Sequence, residues 1–231
     1  MKFRTKEITG LAMVSAIAYA VMLIGFRFMF SAPYLKYEAK DVILTIGGFI
    51  YGPLGALAAS FVVALAEMLT ISETGIIGFV MNFLAASSYA AIASYIYRKN
   101  RTAKGALIGL ALGSFSLTAV MLLWNYIITP LYMNVPRPVV AGMLLPVFLP
   151  FNAIKAGMNT AFVLLIYKPL MTALRAARLL PDRAAQGGQP VQTGEPRGGG
   201  SKGKLKIISA MYIFAALLLV VCAFAIYIVR R

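Results

Sequence analysis

The stretch VILTIGGFIYGPLGALAASFVVALAEMLTI, residues 42–71, decides how the chain folds. It is apolar almost throughout and is interrupted by Gly52-Pro53. A proline removes a helix N–H donor, and its ring clashes with the preceding turn. The pieces 42–51 and 54–71 therefore count as two helices, and that count sets the direction of every later segment. Working outward, one apolar segment precedes them, at 7–27. Four more follow, at 76–97, 106–128, 143–168 and 206–229. Six helices and then a seventh are expected.

Several of these runs approach or exceed the roughly 20 residues that a helix needs to cross about 30 Å of hydrocarbon. Hydrophobic residues make up 61% of the chain and mean hydropathy is +0.83, well above soluble domains. The runs are continuous rather than alternating, which argues against a membrane barrel. The expected class is an all-α integral membrane protein, a six-helix bundle plus a seventh, C-terminal transmembrane helix. Three parts follow: a membrane domain at 1–178, a Gly/Pro-rich linker at 179–205 and the extra helix at 206–231.

Net charge is +15, but the basic residues gather in a few connectors, which is how orientation is encoded. Nucleic acid is not implied as a partner. Lys2, Arg4 and Lys6 precede the first segment. Arg98, Lys99, Arg101 and Lys104 separate the fourth from the fifth. Arg175, Arg178, Arg183, Lys202, Lys204 and Lys206 lie between the sixth and seventh. If these regions are cytoplasmic, the N-terminus is inside. The opening connector, Ser72-Glu73-Thr74 and the 129–142 loop then face outward. Arg230-Arg231 would also lie outside, against the positive-inside tendency.

There is no His, and the one Cys, Cys222, sits inside the last apolar run. Metal clusters, disulfides and His-based catalysis are therefore not expected, nor is a cofactor. Residues 8–26 are too long an apolar segment for a cleaved signal peptide. The stretch 181–205 holds Gly198 and Gly203-Lys204. Leu205 follows where a phosphate loop needs Ser or Thr, and no strand precedes it.

Charged groups at bilayer depth cost about 2.5–3.5 kcal/mol each on insertion scales. Lys155 is the clearest example, inside PVFLPFNAIKAGMNTAFVLLIY. Asn152, Lys155 and Asn159 share one helix face by spacing. With Asn125 in LLWNYIITPLY and Asn82 in GFVMNFLAASS, they fall in the outer half of the membrane. Interhelical hydrogen bonding is one reading of the asparagines. Lys155 could snorkel or pair with Glu67 or Glu73. Together the groups offer amides and one ammonium, with no nucleophile–base pair. They suit holding a polar heterocycle. Two ladders of small residues, Ala12-Ala16-Ala20 and Gly105-Gly109-Gly113, each form a flat stripe that allows close helix approach.

The patterns PYLKYEAKDV, GGFIYGPLG, SETGIIGFVMNFLAASSY, WNYIITPLY and PFNAIKAG occur in this order across residues 8–175. Together they resemble the riboflavin-specific S-component of energy-coupling factor (ECF) transporters. The resemblance implies a six-helix subunit of a prokaryotic cell membrane that captures riboflavin, or flavin mononucleotide, from outside. Its implied partners are a transmembrane coupling protein, two ATPases and the surrounding lipid. By motif match, Asn125, Asn152 and Lys155 are implied to hydrogen-bond the flavin. Leu35 and Glu38 lie in the implied closing loop, and Asn82 is a further implied contact. Ala12, Ala16 and Ala20 are the implied docking stripe for the coupling protein. In that loop, Tyr34, Leu35 and Tyr37 would present surface to a flat ring, and Pro33 would stiffen the entry. Glu38 and Asp41 would accept hydrogen bonds from ribityl hydroxyls or tie the loop to Lys36 or Lys40. Glu38 stands where the family commonly has Asp. No catalytic residue is expected. The alternatives are an S-component for a different vitamin and an intramembrane lipid-modifying enzyme, the latter disfavoured by carboxylates as isolated as Glu67 and Glu73.

Overall fold

The computed structural model describes residues 5–25, 35–72, 74–176 and 201–230. Pro33, Tyr34, Glu73 and most of the linker lie outside them. The elements are α1 (Thr5–Met22), α2 (Lys40–Tyr51), α3 (Pro53–Thr70), α4 (Gly75–Lys99), α5 (Ala103–Met133) and α6 (Arg137–Met143). A π-helical turn (Leu144–Phe148) leads into α7 (Leu149–Ala176), and α8 (Ser201–Arg230) ends the described chain. Among the described residues α3, α4, α5 and the run from Arg137 to Tyr167 are long and apolar enough to cross a membrane. α1, the shorter α2 and the apolar part of α8, Tyr212–Ile228, complete the all-helical bundle.

The break at Gly52-Pro53 is real. Gly52 has φ 89°, in the left-handed region where a side chain is strained, and Pro53 opens α3 at a position that needs no N–H donor. The chain reverses there, so α2 and α3 lie side by side. At the turn before α5, Thr102 Oγ1 accepts from the Gly105 N–H at 3.1 Å, an N-cap. Arg98 and Lys99 fill the last turn of α4, where cations complement the helix dipole.

The expected loop at 129–142 is mostly helical. Pro130 lies within the last turn of α5, which runs on to Met133. Asn134, in the left-handed conformation, closes the helix by donating its N–H to the Pro130 carbonyl. Pro146 lies inside the π turn, where the wider hydrogen-bond spacing accommodates its missing N–H. α8 begins at Ser201, ahead of the expected start at 206.

The largest buried cluster joins α2, α4, α5 and α7 through Phe49, Tyr89, Leu110, Leu117 and Leu164. Phe49 and Tyr97 pack with ring centroids 4.4 Å apart. A second cluster joins α1, α2, α3 and α4 through Leu11, Leu44, Val63 and Ala90. The end of α1, the start of α2, the end of α3 and the start of α4 meet at one end of the bundle. The polar residues gather there.

Candidate functional site

Each polar group at this end is placed by the end or first few turns of a helix or by the segment Leu35–Ala39. Lys40 and Asp41 open α2 and are 2% and 0% exposed. An acidic residue in a first turn complements the positive end of the helix dipole. Glu67 lies one turn before the end of α3, and Asn82 lies two turns into α4. Asn152, Lys155 and Asn159 project from the first half of α7 and are all buried.

Two connected groups result, spliced at the neighbouring Lys40 and Asp41. In the first, Lys40 Nζ contacts Glu38 Oε2 at 2.7 Å and pairs with Glu67 Oε2. Asn82 Nδ2 donates to Glu67 Oε1 at 2.7 Å, and Lys36 Nζ lies 3.8 Å from Glu38 Oε1. In the second, Lys155 Nζ lies 3.3 Å from Asp41 Oδ2, and Asn159 Nδ2 donates to the same oxygen at 3.2 Å. Tyr37 OH donates to Asn159 Oδ1 at 3.0 Å. Three ammonium and three carboxylate groups balance in number. Removing one partner of a buried pair costs about 3–5 kcal/mol because it strands the other charge.

Three sequence-derived expectations change here, and one of the alternatives left open for Glu38 is met. Lys155 pairs with Asp41, not with Glu67, because Lys40 and Asn82 already occupy both Glu67 oxygens. Glu67 is therefore not isolated. Glu38 is tied to Lys36 and Lys40, the second of the two roles open to it. Tyr37 is buried and hydrogen-bonded rather than presenting a free ring face.

Asn125 and Asn152 are buried, but their amides bond within their own helices. Asn125 Nδ2 donates to Met121 O at 2.7 Å and Asn125 Oδ1 accepts from Thr129 at 2.9 Å. Asn152 Nδ2 donates to Phe148 O at 2.8 Å, at the end of the π turn. Half-buried Leu35 packs with Tyr37, Val147 and Phe151. Among the described residues, Asp41 Oδ1 is a buried acceptor with no hydrogen-bond partner. Such an atom is costly unless something supplies a donor. The chemistry on offer is amide, hydroxyl, carboxylate and ammonium hydrogen bonding.

Sequence spacing alone missed Lys40, Asp41 and Glu67 as one unit. The available signal was charge parity, with three acids and three lysines set in or beside apolar runs.

Fold and site together define a multi-pass helical membrane protein with a buried polar cluster at one end of its bundle. The chain belongs to the family of ECF transporter substrate-specific components, whose family model matches residues 6–167. It is similar to the riboflavin transporter FmnP of Bacillus subtilis (strain 168), with 32% identity over 193 residues, covering 76% of this chain and 99% of that one. It is also similar to the riboflavin transporter RibU of Staphylococcus aureus (strain TCH60), with 29% identity over 183 residues, covering 74% and 94%. A solved structure of the S component of a bacterial ECF transporter matches with a TM-score of 0.63 at 30% identity, covering 74% of this chain and 98% of that one. α8 lies beyond the residues matched by the family model.

Proposed function

We propose that this chain captures riboflavin for an ATP-driven importer of a prokaryotic cell membrane, with its N-terminus cytoplasmic and the polar end of the bundle outward. One observation supports the reading most directly. A chain 32% identical to a riboflavin transporter over nearly all of that protein has a buried acceptor beside Lys155, Asp41 Oδ1, that is without a hydrogen-bond partner among the described residues. A flavin carries ring carbonyls, an imide N–H and ribityl hydroxyls, which need donors and acceptors of these kinds. In this reading Leu35, Glu38, Asn125, Asn152 and Lys155 contact the ligand. Asn82, its amide engaged by Glu67, supports the site from behind.

The partners in this reading are a transmembrane coupling protein and two ATPases. Ala12, Ala16 and Ala20 are exposed on α1. Among the described residues α8 packs on α7 and α5 and makes no contact with α1, so the stripe stays clear.

Titration of the purified protein with riboflavin, flavin mononucleotide and a panel of other vitamins tests this. Riboflavin is expected to bind one-to-one without ATP. Asn152→Leu is expected to weaken binding at least about tenfold, the loss of one good buried hydrogen bond, with yield little changed. Lys155→Met should weaken it further, because it also strips Asp41 of its counter-charge. A titration with neither fluorescence change nor heat overturns the reading. Tight binding of another vitamin instead redirects it within the family.

A further inference from the structure

Lys40 is among the most enclosed charged groups of the described chain, 2% exposed at the start of α2. Its ammonium has three donors, and three acceptors surround it: Glu38 Oε2, Glu67 Oε2 and, at 3.5 Å, Met22 Sδ at the end of α1. No donor remains for a ligand. Both Glu67 oxygens are likewise engaged, one by Lys40 and the other by Asn82. Glu38 is the member that belongs to the segment Leu35–Ala39. That segment has a second anchor on the opposite side, the Tyr37 hydroxyl on Asn159 of α7. It is therefore fastened to α7 at one residue and, through Lys40 of α2, to Glu67 of α3 at the next.

We propose that Lys40, Glu67 and Asn82 are positioning residues. They form a buried relay that holds Glu38, and with it Leu35–Ala39, against the site, and so set how long ligand is retained without touching it. The proposal rests on the riboflavin reading above. Its physical logic is that charges at this depth have few other partners. Releasing Glu38 from Lys40 would leave Glu67 as the only carboxylate on that ammonium. The relay therefore favours the held position of the segment over any position that parts Glu38 from Lys40. Differences in affinity between related complexes appear mainly in the dissociation rate, and a latch should act on that rate.

The test is stopped-flow measurement of riboflavin association and dissociation on full-length protein in detergent, with melting of the ligand-free protein as the folding control. Lys40→Met is expected to raise the dissociation rate about tenfold or more and to leave the association rate within about threefold. Glu67→Gln, which removes the charge and keeps one of the two acceptor oxygens, should fall between Lys40→Met and the parent. In a Glu38→Ala background, Lys40→Met and Glu67→Gln should add nothing, because both act through Glu38. If Lys40→Met does not fold, Lys40→Met/Glu67→Met removes both charges together and should show the same faster dissociation. Unchanged dissociation in a folded variant, or full additivity with Glu38→Ala, overturns the relay. A parent that binds no riboflavin overturns the underlying reading instead, so the two failures are distinguishable.

Discussion

Two stripes of small residues at the same spacing meet opposite fates. Gly105, Gly109 and Gly113 on α5 are buried, and the stripe faces α4. Ala12, Ala16 and Ala20 on α1 are exposed, while Leu11, Ser15, Ala18 and Met22 carry the buried face of that helix. The difference lies in what stands opposite. A Cβ built on Gly109 would lie 2.7 Å from the Ala93 carbonyl oxygen, and one on Gly113 would lie 2.8 Å from that of Tyr89. Those are backbone atoms, so α4 and α5 touch main chain to main chain and only glycine fits. The alanine stripe keeps its methyl groups because nothing among the described residues presses on it. Glycine marks a contact already made inside the fold. Alanine between the bulkier, exposed Met13 and Ile17 marks a shallow surface left open.

The largest break in this comparison comes from enlarging the glycine stripe. Gly109→Leu drives a side chain into the α4 backbone, which cannot rotate away. Overpacking of this kind costs about 3 kcal/mol, so thermal unfolding in detergent should fall by roughly 5–10 °C. Riboflavin binding should weaken with it, because α4 and α5 carry Asn82 and Asn125. Parental melting and binding would show that the two helices are less tightly apposed than these distances indicate.

A third glycine sharpens the scale. Gly157 on α7 faces α8, and a Cβ there would meet Cys222 Sγ at 2.9 Å, with Leu218 next at 3.9 Å. These are side-chain atoms on a helix beyond the family match, and they can shift. Gly157→Leu should displace α8, cost about 1 kcal/mol and leave riboflavin binding intact. Melting and titration on one preparation check both. Lost binding would mean that α8 supports the site, which its packing on α7 and α5 alone does not require.

The sequence exposed what depends on neighbours along the chain. Gly52-Pro53 marked the α2–α3 reversal because both residues act on their own backbone. The spacing of Asn152, Lys155 and Asn159 placed them on one face because helix geometry is local. It did not show which small stripe would be covered, nor that Lys155 would take Asp41 and leave Glu67 to Lys40. Those pairings depend on how helices distant in sequence come together, and spacing within one helix carries no information about that. The helix expected to end at 128 runs on to Met133 although Pro130 lies in it. In a last turn a proline loses one hydrogen bond without ending the helix, and the actual stop is the left-handed Asn134.

The smallest effect on the fold should come from the alanine stripe, and there the comparison becomes functional. Ala16 faces outward, so Ala16→Leu adds an isobutyl group to a surface with free space around it. Stability should stay within about 0.5 kcal/mol of the parent, as for exposed substitutions generally, and riboflavin affinity should be unchanged. What should fail is the approach of another helix. In lipid, helices associate through close packing rather than through a hydrophobic driving force, and one protruding side chain holds two backbones apart. Copurification with the coupling protein and riboflavin uptake by cells containing the ATPase module should both be lost while the isolated subunit still binds its vitamin. The same substitution at Gly109 should weaken fold and binding together, so the pair of variants separates a stripe that builds the protein from one that connects it. If Ala16→Leu lowers melting as Gly109→Leu does, α1 is packed more deeply than its exposure indicates. If it leaves copurification intact, the coupling protein docks on another face.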